Sequence, residues 1–278
     1  MEKIRLVEDH QEINFETIYE LLNQKESKNC AYIIRDYLKF GECISLKEEY
    51  TKIINETNGG NRANDFVPVN QIGATQFTKS TPEYFNECSR TKDQIMQIID
   101  SINDHSLKDD FLLEKSLKDE LYKYGVDFAP SSFNDQYVNQ FTIRQWINSN
   151  DKGLALLPHE DLSQLNFAKL DSYEIGNVKK VIACNLCISN SKGGELLIWD
   201  ADPDLETKIK LGVENSGYPY PLELLEDTDC ISIKINPGDL YFINANLIHA
   251  VKEIQGNERI TLGRFMGFCA DNKVVYWT

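Results

Sequence analysis

No stretch of the sequence approaches the roughly 18 consecutive apolar residues of a membrane-spanning helix. Residues 1–10 also lack the apolar core of a secretory signal, so a cytoplasmic protein is expected. Basic charge is short: 29 Lys and Arg stand against 44 Asp and Glu, a net charge of −15. That deficit argues against a nucleic-acid-binding face and against docking on anionic lipid, since both need clustered cations. It reads instead as an acidic, solvated surface. Internal repeats and low-complexity segments are absent. The seven Cys are odd in number and scattered, which fits free buried thiols in a reducing compartment. Cys184 and Cys187 are the one close pair. They sit in an apolar run with no second pair, so the reading is core packing rather than a redox or zinc motif. Histidine is scarce, with only His10, His105, His159 and His249.

What is present is an ordinary globular composition. The 278 residues are 41% hydrophobic and include 13 Tyr and 13 Phe, enough for a large core. The first half reads mainly helical. Ile13, Ile18, Leu21 and Leu22 space a helix over 12–24, a strand follows at 31–38, and Phe40-Gly41-Glu42 reads as a turn before a helix from Ile44 to Ile54. Thr81-Pro82 suits a helix start. Thr91 and Gln94 resemble a capping box ahead of Ile95, Ile98, Ile99 and Ile102. Leu113, Leu117, Leu121 and Tyr124 mark a further helix stopped at Gly125. Residues 129–134 look like a linker, the seam between a helical front and a β-rich back. After it come about nine short strands punctuated by Gly, Pro and Asn turns, the pattern of a jelly roll or barrel. A long excursion at 201–227 interrupts them, and loops of that length commonly serve a site. It is expected to cover the mouth of one.

His159 and Asp161 stand two residues apart in a segment that reads as strand. Side chains there alternate between faces, so both point into one cavity while Glu160 points away. His249 occupies another apolar strand, with several strands between. A lone His on an apolar strand is more often a satisfied core residue than a ligand. With the spaced pair, however, it completes two His and one carboxylate, the arrangement that holds non-heme iron and leaves open positions opposite. Ten residues beyond His249, Arg259 opens a strand whose inward face would be Arg259, Thr261 and Gly263. An Arg on the floor of an apolar barrel needs an anionic partner. A carboxylate held in a two-pronged fork would serve, with the Thr261 hydroxyl adding a hydrogen bond.

His159-x-Asp161, His249 and Arg259, in that order, resemble the Fe(II)/2-oxoglutarate-dependent oxygenases. So do the turns Gly193-Gly194-Glu195-Leu196 and Pro237-Gly238-Asp239-Leu240. Within that superfamily the chain is most similar to the carrier-independent halogenases of indole-alkaloid biosynthesis and related hydroxylases, from about residue 60 to the end. The similarity is densest at Thr142-Ile143-Arg144, around His159, at residues 193–196, and from Arg259 to Phe268.

The resemblance implies an α+β fold: a double-stranded β-helix, or jelly-roll (cupin-like), core with a helical N-terminal half packed on it. The whole chain, 1–278, would be a single oxygenase domain, with a helical front over 1–130 and the core over 131–278. It implies Fe(II) held by His159, Asp161 and His249, with dioxygen and 2-oxoglutarate as cosubstrates. The distal carboxylate of 2-oxoglutarate would rest on Arg259 and Thr261. Arg144, on the strand before, is expected to contact 2-oxoglutarate or a substrate anion, with a surface Arg as the equal alternative. Leu156 and Gln164 align with substrate-lining positions. The substrate would be a freestanding small molecule, with no nucleic acid or membrane partner. One departure bears on chemistry. Those halogenases carry Gly where this chain carries Asp161, and a carboxylate there takes the position that chloride would use. Hydroxylation is therefore expected, with 2-oxoglutarate leaving as succinate. Desaturation, epoxidation or cyclisation on the same scaffold, and a non-catalytic jelly-roll binding protein, are the alternatives.

Overall fold

The front half contributes strands as well as helices to the main sheet. A computed structural model describes residues 4–23, 28–57, 69–146, 153–256 and 259–278. Strand β1 (Arg5–His10) pairs in parallel with β2 (Asn29–Arg35), joined through helix α1 (Phe15–Asn23). β1 is too polar for its pattern to mark a strand; the ladder to β2 makes it one at the sheet edge. Helix α1 buries Ile18, Leu21 and Leu22, as their spacing predicts. Helix α2 (Phe40–Glu56) takes in Phe40-Gly41-Glu42 as its first turn, so no separate turn precedes it. Strand β3 is Val69–Ile72.

Helix α3 (Thr81–Asp100) is one continuous helix where a second start at Thr91 was expected. Its N-terminus is held at Ser80, whose backbone N–H and hydroxyl donate to Glu83 at 3.0 and 2.7 Å. The Thr91 hydroxyl instead donates back to the Glu87 carbonyl at 2.8 Å, and buried Cys88 and Ile95 carry the apolar face across it. Helices α4 (His105–Asp109) and α5 (Glu114–Lys123) follow. The expected linker is part of the sheet: β4 (Asp127–Pro130) pairs in parallel with the last strand, and β5 (Ser132–Phe133) forms a hairpin with β6 (Gln136–Tyr137). Pro130 is tolerated because β4 lies at the sheet edge.

The back half runs β7 (Thr142–Trp146), β8 (Leu154–His159), α6 (Asn166–Leu170), β9 (Ile182–Ser189), β10 (Lys192–Gly193), β11 (Leu196–Trp199), α7 (Leu205–Leu211), β12 (Cys230–Ile233), β13 (Leu240–Asn244), β14 (His249–Lys252), β15 (Ile254–Gln255), β16 (Arg259–Ala270) and β17 (Lys273–Trp277). The larger sheet has the order β1-β2-β13-β9-β16-β17-β4, with β7 beside the first half of β16 and β3 beside β7. The smaller sheet is β12-β11-β14-β8. Pairing is antiparallel except at β1–β2 and β17–β4. This is a mixed α/β architecture with a jelly-roll core.

The main core lies between the helices and the larger sheet. Leu46, Tyr50 and Ile53 of α2 and Ile95 and Ile98 of α3 are buried there, with α2 packed on β9 and β3. Cys184 and Cys187 belong to it, and burial pushes their thiols up to about 11 and about 12, the behaviour of inert core residues. A second cluster gathers Trp199, Leu154 and Ala250 of the smaller sheet with Val213, Tyr220 and Leu225 of the excursion. The excursion is thus packed onto the strand that carries His159. Among the described residues, no helix is long and apolar enough to cross a membrane.

Candidate metal centre

β8 and β14 set the two histidines side by side. His159 and His249 are direct register partners in the antiparallel ladder, with ring centroids 4.1 Å apart. β8 forms the edge of the smaller sheet, which is where Pro158 fits without a missing ladder bond. Each ring is oriented the same way. His159 Nδ1 donates to the Leu157 carbonyl at 2.9 Å, and His249 Nδ1 to the Leu247 carbonyl at 2.9 Å. A carbonyl can only accept, so both Nδ1 atoms carry protons and Nε2 is the ring atom that each histidine offers a metal.

Asp161 joins them by a different route from strand alternation. β8 ends at His159, and Asp161 lies in the bend beyond it. Its backbone N–H donates to the Ala245 carbonyl at 2.8 Å, which ties the bend to the turn before β14. The carboxylate sits 3.3 Å from His249 Nε2 and accepts from the Gln164 amide at 3.1 Å. Ligand atoms of His159, Asp161 and His249 all lie within 4.8 Å of one another, so one metal ion can be held by all three.

Charge supports that use. Burial, reinforced by the neighbouring His249, pushes His159 down to about 4, so it is neutral at physiological pH. Burial works to raise Asp161, but the hydrogen bond from His249 and the charges of His249 and Arg144 outweigh it and hold the carboxyl below its ordinary value. For His249, burial acts downward and the Asp161 bond and charge prevail upward. A neutral imidazole and an ionised carboxylate are the states in which these groups ligate a cation, so the proton that Asp161 draws to His249 Nε2 must leave when a cation binds.

Glu160, also beyond the end of the strand, is fully enclosed and bonded within the bend. It accepts from the Leu162 and Ser163 backbone N–H groups at 2.7 and 3.1 Å and from the Ser163 hydroxyl, and it pairs with Lys208 of α7 at 3.0 Å. The excursion reaches the same spot through Gly217, whose carbonyl accepts from Glu160 N–H at 3.0 Å. Gly217 has φ +64°, and a Cβ there would lie 2.2 Å from the Glu160 carbonyl oxygen, so only glycine fits. Lys208 and Glu160 are 7% and 1% exposed, so the pair is a buried one. Lys208→Met should therefore cost about 3 kcal/mol, the low end for stranding a buried charge, because three other donors still hold the carboxylate. The fall in urea midpoint at constant slope measures it; an unmoved midpoint would show that the pair contributes nothing.

The cavity around these groups has a volume of about 880 Å³, its open mouth included. Arg259, Thr261, Arg144, Leu156 and Gln164 all line it, together with the three candidate ligands. Gln164 thus has a second role that spacing could not show: its amide is already bonded to Asp161. Arg259 is 1% exposed, makes a 3.4 Å contact with the Tyr241 hydroxyl, and lies 5.6 Å from the Trp146 ring centroid. Its Nε finds no hydrogen-bond acceptor. Among the described residues it has no ion-pair partner. The Trp146 indole donates to the Thr261 hydroxyl at 2.9 Å. A buried cation with an unmet donor fits an anionic ligand such as a dicarboxylate.

Trp146, Tyr241, Tyr218 and Phe77 also line the cavity and went unread in the sequence. Trp146 could have been found, since it stands two residues beyond Arg144 on the same strand face. Tyr218 and Ser216 come from the excursion.

Comparison with known proteins agrees with this geometry. The family model of the carrier-protein-independent halogenase WelO5 matches residues 164–278. The L-isoleucine 3(1)-dioxygenase of Pantoea ananatis (strain AJ13355) is 38% identical over 269 residues, 96% of this chain and 90% of that one. Among solved structures, an N-substituted L-amino acid dioxygenase from Burkholderia ambifaria AMMD superposes with a TM-score of 0.57 at 15% identity, covering 95% of this chain and 91% of that one. The same enzyme in complex with alpha-KG gives 0.52 at 13% identity, over the same shares. At such identities these two structures speak for the fold alone.

Proposed function

The chain belongs to the Fe(II)/2-oxoglutarate-dependent dioxygenases, in the family of the Pantoea isoleucine enzyme, and on that premise we propose that it hydroxylates an aliphatic C–H bond of a free L-amino acid. The observation that carries the reading is the buried cluster of His159, Asp161 and His249, with both imidazole Nδ1 atoms committed to carbonyls. His159, Asp161 and His249 would hold the iron through Nε2, a carboxylate oxygen and Nε2, a ligand set that suits non-heme iron. Arg259 takes the distal carboxylate of 2-oxoglutarate. The Thr261 hydroxyl accepts from Trp146 and so keeps its own proton to donate to that carboxylate.

When bound, iron(II) and 2-oxoglutarate activate dioxygen so that one oxygen enters a C–H bond and the other leaves in succinate. The chain's own residues position the reactants. Gln164 fixes the Asp161 carboxylate, and Glu160 and Lys208 brace the bend that carries it. Leu156, Val251 and Leu196 give the cavity an apolar wall for an aliphatic side chain. Asp161 supplies a carboxylate at the position where a halide would otherwise bind, which directs the outcome to hydroxylation. The chain acts as one oxygenase domain over 1–278, with the 201–227 excursion over the cavity mouth through Ser216 and Tyr218.

The test is direct. Purified protein given Fe(II), 2-oxoglutarate and aliphatic L-amino acids should release succinate in step with a product heavier by one oxygen. A product lighter by two hydrogens, a chlorinated product, or no amino-acid turnover would each overturn the hydroxylase assignment.

A further inference from the structure

The cavity floor carries a polar side chain that the fold itself does not use. Asn185 of β9 lines the cavity and is half-buried. Its register partners are Tyr241 of β13 on one side and Gly263 of β16 on the other. Among the described residues, no hydrogen bond engages its side-chain amide. Gly263 makes room for that amide. Its φ is not in the left-handed region, so the backbone does not call for glycine. A Cβ there would lie 2.4 Å from Asn185 Oδ1, and the next atoms are Asn185 Cγ at 3.4 Å and the Cys184 carbonyl oxygen at 3.7 Å. The Asn185 amide is thus the one group that a side chain at 263 would displace. A glycine inside a strand commonly marks such a close approach. Oδ1 is the atom turned toward Gly263, which leaves the NH2 group to donate.

Strand direction places this amide between Thr261 and the bend that carries Asp161. β13 and β16 run the same way, since both are antiparallel to β9. Along β16, Arg259 and Thr261 come first and Gly263 follows. Along β13, the same direction leads from Tyr241, level with Asn185, through Ile243 toward Ala245, whose carbonyl accepts from the Asp161 N–H. One inward step, from Thr261 to Gly263, is about 6–7 Å. Extended 2-oxoglutarate is about as long as that step. With the distal carboxylate on Arg259 and Thr261, the keto-acid end falls level with Asn185, on the way to the metal ligands.

We propose that Asn185, seated on Gly263, is a cosubstrate-binding residue that donates its amide N–H to the carboxylate at the keto-acid end of 2-oxoglutarate. This rests on Arg259 and Thr261 holding the distal carboxylate. A carboxylate only accepts, so the amide meets it as a donor and adds no charge to the cavity.

Labelled 2-oxoglutarate, dialysed to equilibrium against the iron(II)-loaded protein without oxygen, reads binding apart from turnover. Asn185→Ala should weaken binding by about 10–100-fold, the size of one hydrogen bond to a charged group. Asn185→Asp should weaken it further, because one carboxylate then faces another. Gly263→Ala keeps Asn185 but presses its amide aside, and should weaken binding in the same direction. With both alanines present no amide is left to displace. That double variant should bind no more weakly than Asn185→Ala alone, a non-additivity that independent sites do not show. Iron affinity by calorimetry should match the parent in every alanine variant. Unchanged 2-oxoglutarate binding in Asn185→Ala would overturn the proposal. So would an Asp variant that binds as tightly as the Ala one, since the side chain would then face a donor, as in an ammonium group. A loss of iron affinity in its place would make Asn185 a prop of the metal centre and overturn it too. A parent protein that binds no 2-oxoglutarate would instead sink the cosubstrate reading and this inference with it.

Discussion

Asp161→Ala should abolish hydroxylation, with iron affinity falling by at least about 100-fold, the upper end of what loss of an outer partner costs a metal site. Asp161 is the only carboxylate in the described cluster, so removing it leaves two neutral imidazoles to hold a dication. Metal binding by calorimetry and amino-acid oxidation by product mass are the two readouts. Asp161→Asn is the informative companion. It keeps the shape and can still accept from the Gln164 amide, now 3.1 Å away, but loses the charge. Loss of iron affinity in both variants places the effect on charge; recovery in the Asn variant would place it on the fit of the bend. Asp161→Gly goes further and removes the group that fills the position a halide would occupy. A halogenated product from that variant in chloride is the expected sign of an opened site. Undiminished hydroxylation by Asp161→Ala would remove Asp161 from the metal centre altogether.

The residues of this centre were legible for reasons of unequal strength. His159, His249 and Arg259 stand on strands, where an alternating pattern tells which face a side chain takes, and the structure puts each in the cavity. Asp161 was legible by proximity to His159, although the physical reason differs: the strand has ended, and a backbone bond to Ala245 turns the carboxylate inward. Partners across the sheet were not legible. Nothing near Glu160 in the chain announces Lys208, and nothing near Arg144 announces Gln71, because strand register and helix docking bring them together. The edge strands β1 and β4 escaped for a related reason. An edge strand buries one side only, tolerates polar residues and proline, and so carries a weak pattern. The back half fared better because its strands are bounded by glycine, proline and asparagine turns. The mid-helix Thr91 shows the reverse error, in which a cap-like pattern was silenced by a continuous buried face.

Arg259→Met should move stability and function in opposite directions. The guanidinium is 1% exposed, its Nε lacks an acceptor, and its described neighbours are the Tyr241 hydroxyl and the Trp146 ring. A charge held this way costs folding free energy, since burial removes its hydration and nothing in the described surroundings returns an ion pair. Methionine fills similar space, packs on the indole and carries no charge. The metal-free, cosubstrate-free protein should therefore gain about 1–3 kcal/mol, within the range seen when buried ionic groups give way to apolar ones of similar volume. The same change removes the fork that holds the distal carboxylate of 2-oxoglutarate. Its KM should rise by about 100-fold or more, since a charge-assisted pair contributes on the order of 3 kcal/mol. Added 2-oxoglutarate should raise the melting temperature of the iron-loaded parent and leave that of the variant unmoved, as ligand linkage requires. The combination is diagnostic. A residue kept for folding would lose stability when replaced, whereas one kept for an anionic ligand gives up binding and gains stability. A variant less stable than its parent, with an unchanged KM for 2-oxoglutarate, would assign Arg259 to the scaffold and leave the cosubstrate carboxylate to another cation.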